Sequence, residues 1–511
     1  MSDYATKIVT LKNLLGQETI SERFGASLCF GHFNVIHPGH LRYFHTARRY
    51  GDRLIVAIEG DKTLSTQSEL GEWFSESERA SAVAALEVVD EVVVLDSGQL
   101  VDLVSLIKPS SLVLGREFER ERANEVLDPV NRVHQYGGQV VFEAGETRYT
   151  RVDFVHGNQD ELERERWFQF RSALTSQGII LSQLLTRMRD KAKPKLLILG
   201  DTIVDQYIAC DPIGMSNEAP IVVVKELETR EFIGGAAIVA AHVAALGAGC
   251  SYLSVAGDDR EADVVRKNLA ELDVASSLLM DPSRPTTNKI RYMVENQKLF
   301  RVSRLKEHGL SRSLEDKIIG KLMDLMPGLD GILVCDFVYG VITPRVLEVV
   351  TKISQDHNLP LFGDLQCSSQ IGNVSKFRDF QLLCPTEREA RIALSNQDDG
   401  VEYVANLLME KTRSANLVIK LGSEGLIAYE RDKTGNFVHR QHFPAITANP
   451  VDVSGAGDSL LAAMSVVMTM GFSLMEAAAL GSCMAALAIR TVGNQPINFE
   501  QLEQFIERGR I

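Results

Sequence analysis

Asn449–Leu460 reads NPVDVSGAGDSL, and the chain is organised around it. The β-branched Val451–Val453 predicts a strand running into Gly455-Ala456-Gly457, and the apolar Ser459–Thr469 predicts a long helix. A Gly-x-Gly turn opening a helix aims backbone N–H groups at one point, where the helix dipole also favours an anion. Asp458 falls in the first turn of that helix, beside the anion point. A carboxylate there can take a proton from a hydroxyl while the N–H groups hold the charge developing on a transferring phosphoryl group. The same letters also suit an ordinary glycine turn with Asp458 as a cap. The surroundings decide between the two.

Outward from this stretch, short apolar strands alternate with helical segments from Pro194 onward. Lys195–Gly200 leads to Asp201 and Asp205, a carboxylate pair able to hold sugar hydroxyls. Ile221–Lys225 suits an edge or lid strand, and Gly234-Gly235, which lets a substrate approach the backbone, opens an alanine-rich helix to Leu246. Ile332–Cys335, Leu361–Phe362, Gln381–Cys384 and Leu417–Lys420 read as strands, with Asp336 and Asp364 at the ends of two of them. Open α/β sheets bind ligands at that edge. Glu389 follows in CPTERE, and Lys420 leads into a glycine-rich turn, LGSEG.

In order and spacing these segments resemble the ribokinase-like carbohydrate kinases. GDTIVDQYI (Gly200–Ile208), SNEAPIVVVK (Ser216–Lys225), FIGGAAIVAAHVAALGA (Phe232–Ala248) and DVSGAGD (Asp452–Asp458) are most like the kinase half of the bifunctional heptose-7-phosphate kinase/heptose-1-phosphate adenylyltransferases. The resemblance implies a central sheet with a small β lid, often used for dimerisation. It implies Asp458 as base, Gly455, Ala456 and Gly457 as anion hole, and Asp201, Asp205, Gly234 and Gly235 on the sugar. Glu389 would lie near the Mg–phosphate water network, touching the metal only indirectly, with Gly422, Ser423, Gly425 and Ser482 on the nucleotide side. The chain departs from the pattern where the family's Asn after the glycine pair is Ile238 and the Asn of its Asn-x-x-Glu is Thr386. Lysines expected near the two strand-end aspartates are Tyr339 and Gln366. A changed polar lining changes which sugar fits, because an unpaired buried polar group is costly.

Before this unit lies a second α/β pattern. After a short amphipathic leader over residues 1–25, strands are expected at Ser27–Phe30, Arg53–Glu59, Glu91–Leu95, Leu112–Leu114 and Gln139–Phe142, with a helix at Glu78–Val89. Such alternation predicts a parallel doubly wound sheet. GHFNVIHPGH (Gly31–His40) puts His37 and His40 three apart at a helix start, where two imidazoles can donate to phosphate oxygens as a phosphoanhydride breaks. Two capping histidines are the plainer alternative. This region resembles the cytidylyltransferase-like nucleotidyltransferases through its HxGH, GDRLIVAIEGD (Gly51–Asp61), ESER (Glu76–Arg79), VDEVVVLD (Val89–Asp96) and LVLGREF (Leu112–Phe118). The resemblance implies catalytic His37 and His40 and nucleotide-side Gly31, Asn34, Asp61, Arg79, Gly115 and Thr150. Here too there are departures. Asn34 stands for an Asp, Arg148 and Tyr149 for the first two of a Ser-Thr-Thr run, and Lys62 is the one lysine kept after Asp61. The order of the two halves is reversed relative to the heptose enzymes.

The expected fold class is therefore α/β, a Rossmann-like nucleotidyltransferase domain over 1–155 and a ribokinase-like domain with a small β lid over 193–511. Between them, 156–192 reads as a helical connector, with Leu181, Leu184, Leu185 and Met188 at helical spacing after the charge-dense DELERERWFQFR. A net charge of −14 argues against nucleic acid or an anionic membrane as the main partner. Seven scattered cysteines with no CxxC pair suit a reducing cytoplasm. The N-terminus lacks the basic-then-apolar order of a signal peptide, and no apolar run is of spanning length. The expected protein is a cytoplasmic, bifunctional, lid-linked homodimer. It would phosphorylate a sugar or sugar phosphate with Mg2+ and ATP, and transfer a nucleotidyl group from ATP or CTP to a sugar phosphate. The product would be a nucleotide-activated, heptose-like sugar for a cell-surface glycan. A kinase with a non-catalytic first domain and a ligand-sensing regulatory protein are the alternatives.

Overall fold

The computed structural model describes residues 3–15, 25–34, 36, 38–64, 74–115, 124–143, 159–216, 218, 221–295, 297–367, 372–431, 438–447 and 450–509. The chain divides into two compact units, Met1–His156 with Asn396–Asn406, and Gly157–Ser395 with Leu407–Ile511.

In the first unit the strands are β1 (Ile8–Thr10), β2 (Ser27–Gly31), β3 (Leu54–Glu59), β4 (Glu91–Leu95), β5 (Ser111–Gly115) and β6 (Gln139–Glu143). They form one parallel sheet in the order β1-β4-β3-β2-β5-β6. β2, β3 and β5 are almost wholly buried apolar runs, as a sheet covered on both faces requires. Leu28, Phe30, Ile55 and Ala57 pack on one face, and Cys29, Leu54, Val56 and Ile58 on the other. The amphipathic leader contributes to the sheet. Its Ile8 and Val9 add an edge strand beside β4, and Lys7 Nζ ties it down by donating to the carbonyls of Leu86 (3.0 Å) and Val89 (2.8 Å). The helix expected at Glu78–Val89 runs instead over Glu76–Ala84, because Ser75 and Glu78 form a capping box that starts it earlier.

The second unit holds β7 (Lys195–Gly200), β8 (Thr202–Met215), β9 (Val222–Gly235), β10 (Gly249–Ala256), β11 (Ala275–Met280), β12 (Thr287–Val294), β13 (Gln297–Arg304), β14 (Gly331–Asp336), β15 (Leu361–Leu365), β16 (Leu382–Leu383), β17 (Asn416–Lys420), β18 (Leu426–Arg431) and β19 (Val438–Phe443). A nine-stranded sheet runs β11-β10-β7-β14-β15-β16-β17-β18-β19, parallel up to β17 and antiparallel beyond. A separate four-stranded sheet, β13-β12-β8-β9, is the lid, with β9 at its edge. Val451–Val453 is not a strand. The N–H groups of Val451 and Asp452 both donate to the Ile489 carbonyl rather than to a neighbouring strand. Val451 and Val453 are exposed and Asp452 is buried, so the out-in-out alternation is that of a loop fixed by its one inward carboxylate.

The helices Gln159–Ser176 and Leu181–Asp190, in the stretch read as a connector, pack into the second unit's core. Phe170, Leu174, Leu181, Leu184, Leu185 and Met188 pack there with the helices Ala456–Thr469 and Leu474–Ala488. Leu184→Ala is expected to cost about 2–5 kcal/mol in urea unfolding of this unit, the range for a buried leucine. Phe168→Ala, at a position 73% exposed, should stay within about 0.5 kcal/mol. Equal effects at the two positions would mean that the helices do not contribute to the core.

Candidate functional site

The chain leaves β7 for β10 and β11 on one side and returns through β14 on the other, so β7 and β14 flank a topological switch point. Ligands bind at the carboxyl end of such a crevice. Asp201 follows β7 there, but its carboxylate faces the chain itself. It accepts from the N–H groups of Phe337 (2.8 Å), Tyr339 (3.3 Å) and Val341 (3.1 Å), and so shapes the loop after β14. Burial, with Asp336 close by, pushes its pKa up. Asp336 accepts from the Val338 N–H and pairs with Lys376.

Asp205 lies on β8, where Arg291 of β12 pairs with its Oδ1 and Asn494 Nδ2 is 3.5 Å from its Oδ2. Gly234 and Gly235 end β9 against this carboxylate. A Cβ on Gly234 would overlap Asp205 Oδ2, and Gly235 has φ +60. Gly455 stands on the opposite wall with φ +82, and a Cβ there would overlap Asn494 Oδ1. That oxygen is buried with no hydrogen-bond partner among the described residues. Asn494 was not legible beforehand, since a lone Asn in VGNQP carries no spacing signal.

The helix Ala456–Thr469 starts at Gly455, so the Ala456, Gly457 and Asp458 N–H groups have no intrahelical acceptor. Asp458 is buried in its first turn, and its Oδ1 accepts from Gln366 Nε2 at 2.6 Å. The same amide reaches Asp364 Oδ2 at 3.2 Å, and Lys420 Nζ donates to that oxygen at 2.7 Å. Burial and the Asp364 charge push the Asp458 carboxyl up to about 7, against the pull of Lys420 and Gln366. Asp364 is raised to about 6, by burial and by Glu389, although Lys420 lowers it. The loop leading in is pinned through Asp452, which accepts from Tyr207 Oη (2.6 Å) on β8 and Lys298 Nζ (2.8 Å) on β13. Burial opposes its ionisation, yet Lys298, Tyr207 and the Ser454 N–H together hold it down at about 2.

Glu389 spends both carboxylate oxygens on backbone N–H groups, Cys367 at 2.9 Å and Thr386 at 2.8 Å, the second as part of a capping box. Gly422 and Ser423 lie in an exposed turn after β17, and Gly425 has φ +94, where a Cβ would overlap the Phe443 carbonyl. Ser482 is buried and donates to the Ala478 carbonyl at 2.9 Å within its own helix. An Mg–triphosphate fits this edge. The free N–H groups and Lys420 can hold phosphate oxygens, and Asp364 Oδ1, buried and without a hydrogen-bond partner among the described residues, can accept from a metal-bound water.

In the first unit, Gly31 and Gly115 end the adjacent strands β2 and β5, again at a switch point. Asn34 Oδ1 accepts from the Phe74 N–H at 2.8 Å. Arg79 is fully buried and donates to Phe74 O (3.0 Å), His32 O (2.7 Å) and Asp61 Oδ1 (2.9 Å). His40 sits in the first turn of the helix Pro38–Arg48, its ring edge-on to Phe33 at 5.3 Å. Glu59, at the end of β3, pairs with His32, a contact no motif announced. His37 and Thr150 lie outside the described residues. Among the described residues no group of histidine, cysteine or carboxylate side chains forms a metal cluster, and no helix is long and apolar enough to cross a membrane.

The family description "pfkB family carbohydrate kinase" matches residues 193–500. The chain belongs to that family. Its residues 28–149 match the cytidylyltransferase-like family. Bifunctional protein HldE of Campylobacter jejuni is 30% identical over 317 residues, 61% of this chain and 65% of that protein. Bifunctional protein HldE of Trichlorobacter lovleyi is 31% identical over 59% of this chain and 61% of that protein. The chain thus matches less than two thirds of the length of these relatives. Escherichia coli phosphofructokinase-2, solved with substrates and products, superposes on 63% of this chain and 100% of its own with a TM-score of 0.52 at 14% identity, a likeness of fold.

The raised Asp458 carboxyl has a consequence for stability. Its folded-state pKa of about 7 stands above the ordinary 3.8, so the folded protein holds that proton more tightly. Ionising the group therefore costs stability as pH rises from near 4 through 7. Asp458→Asn should gain on the wild type by about 1–4 kcal/mol between pH 5 and pH 8, read by urea unfolding at both. A difference that does not change with pH would mean that Asp458 titrates normally.

Proposed function

We propose that the second unit phosphorylates a sugar or sugar phosphate from Mg-ATP, and that the first transfers a nucleotidyl group from ATP or CTP to a sugar phosphate. The observation that carries the kinase reading is Asp458, a buried carboxylate at the open N-terminus of a helix beside Gly455–Gly457. Asp458 takes the acceptor's proton, while the helix N–H groups hold the moving phosphoryl group. Asp205, kept in place by Arg291, orients the sugar, and Asp201 orients the loop at the cleft floor. Bound Mg2+ would neutralise phosphate charge there.

A heptose-like acceptor and a role in making a nucleotide-activated sugar for a surface glycan follow from the likeness to HldE. The chemistry belongs in the cytoplasm, where both nucleotides are made. A homodimer through the lid is supported by the exposed Ile213, Met215, Val222 and Leu227 along β8 and β9. For the first unit, one observation favours a narrower reading in which it binds nucleotide without turnover. Arg79 is fully buried and donates to Asp61, His32 and Phe74, the contacts of a clamp inside the unit.

The test is a panel of sugars and sugar phosphates with each NTP, reading ADP and pyrophosphate separately. Asp458→Asn should cut ADP release by about 10² or more and leave pyrophosphate release unchanged. His37→Ala or His40→Ala should cut pyrophosphate release by about 10²–10³ and leave ADP release alone. An Asp458→Asn enzyme within a few-fold of wild type sinks the kinase assignment. No pyrophosphate from wild type with any pair selects the narrower reading.

A further inference from the structure

We propose that Lys420 is a further catalytic residue of the kinase site, its ammonium touching the phosphoryl group in transit and supplying the charge that is missing at Gln366. The inference rests on the kinase reading of this unit and adds to it a residue that no motif placed in the reaction.

Two side chains converge on Gly457 from different strand ends. From β17 comes Lys420, whose Nζ lies 3.1 Å from where a Cβ on Gly457 would sit. From the end of β15 comes Gln366, whose Nε2 lies 3.7 Å from the same point. Gly457 is the second glycine of the turn, at the helix N-terminus, where the dipole favours an anion. The pattern of the ribokinase-like kinases leads one to expect lysine at position 366. Here the amide is at 366 and the ammonium at 420, so the positive charge has moved two strands along the sheet and still arrives beside the same glycine.

The ammonium is placed to act and not only to brace. Among the described residues its one hydrogen bond goes to Asp364 Oδ2, which leaves N–H donors to spare. Its side chain is 13% exposed, so it is largely desolvated yet still open to the cleft. Asp364, Glu389, Asp458, Asp205 and the Cys335 and Cys384 thiols are titratable groups around it and the base. Burial works against the charged form, but Asp364 and Glu389 outweigh it and keep Lys420 protonated. In the step itself the acceptor oxygen bonds to the γ-phosphorus and the bond from that phosphorus to the β,γ-bridging oxygen breaks. The acceptor's proton goes to Asp458. Lys420 exchanges no proton and contributes field alone, at the place where the equatorial oxygens carry charge. Gln366, a neutral donor to both carboxylates, holds Asp458 in position.

The experiment compares Lys420→Met, Lys420→Gln and the double variant Gln366→Lys/Lys420→Met in the full chain. Turnover is read as ADP release, folding as melting temperature, and phosphoryl recognition as the tightening of MgADP by aluminium fluoride in calorimetry. Both single variants should lose about 10²–10³ in kcat, with the KM for ATP moving much less. The aluminium fluoride effect should vanish with them. Lys420→Gln keeps a donor to Asp364, so its melting temperature should stay near wild type even if Lys420→Met fails to fold. Returning the charge at position 366 should recover at least about tenfold of the rate, which a purely structural lysine would not allow. Wild-type kcat in Lys420→Gln, or a rate loss that follows melting temperature and is not recovered in the double variant, overturns the proposal. If wild type releases no ADP with any acceptor, the kinase reading fails, and the aluminium fluoride titration still decides Lys420.

Discussion

Crowding of carboxylates at one sheet edge is the constraint on which the second unit depends. Asp201, Asp336, Asp364, Glu389 and Asp458 are all buried there, beside a cleft suited to phosphates, which add more negative charge. A buried carboxylate is tolerated only when hydrogen bonds or a cation answer it. Asp201 is answered by three N–H groups of one loop, Glu389 by two, Asp336 by Lys376, and Asp364 by Lys420. Asp458 receives a neutral amide. That asymmetry separates roles. The carboxylates answered by backbone N–H groups or a lysine hold the loops and caps that shape the cleft, whereas Asp458 stands at the open helix N-terminus with a neutral amide as its partner and its pKa raised by burial and by Asp364.

The same economy explains why glycine occurs where it does. Gly234 and Gly455 face each other across Asp205 and Asn494, and either Cβ would fill the space now held by one of those polar groups. Within the lid Arg291 braces Asp205, and the lid reaches the glycine turn through Lys298 and Tyr207 on Asp452. The turn that presents the helix N-terminus is thus fixed through Asp452 by side chains from two lid strands, β8 and β13, far from it along the chain.

The sequence carried the architecture well where burial writes a simple pattern. Apolar runs such as Leu54–Glu59 and Gly331–Asp336 are strands covered on both faces, and little else fits them. It misled where the same alternation came from a different cause. Val451–Val453 alternates because one carboxylate is pulled inward, and β1 hid in a leader because a three-residue edge strand needs the rest of the sheet to exist. At the candidate site, the glycine turn opening a helix with Asp458 in its first turn was legible because all of it lies in one short stretch of sequence. Arg291, Lys298 and Asn494 were not, because what recruits each is a partner on another element. Asp201 and Arg79 show the converse. Both stand at expected motif positions, yet each spends its charge on the surrounding backbone.

A departure from a motif therefore cannot be scored as a loss along the chain alone. Tyr339 and Gln366 read as two lysines gone from beside Asp336 and Asp364. In space both aspartates have their lysines, Lys376 from a short turn and Lys420 from β17. The electrostatic requirement belongs to the carboxylates, and any element that reaches them can meet it. What the exchange does alter is the ground next to Asp458, where an amide that bridges Asp458 and Asp364 stands in place of an ammonium.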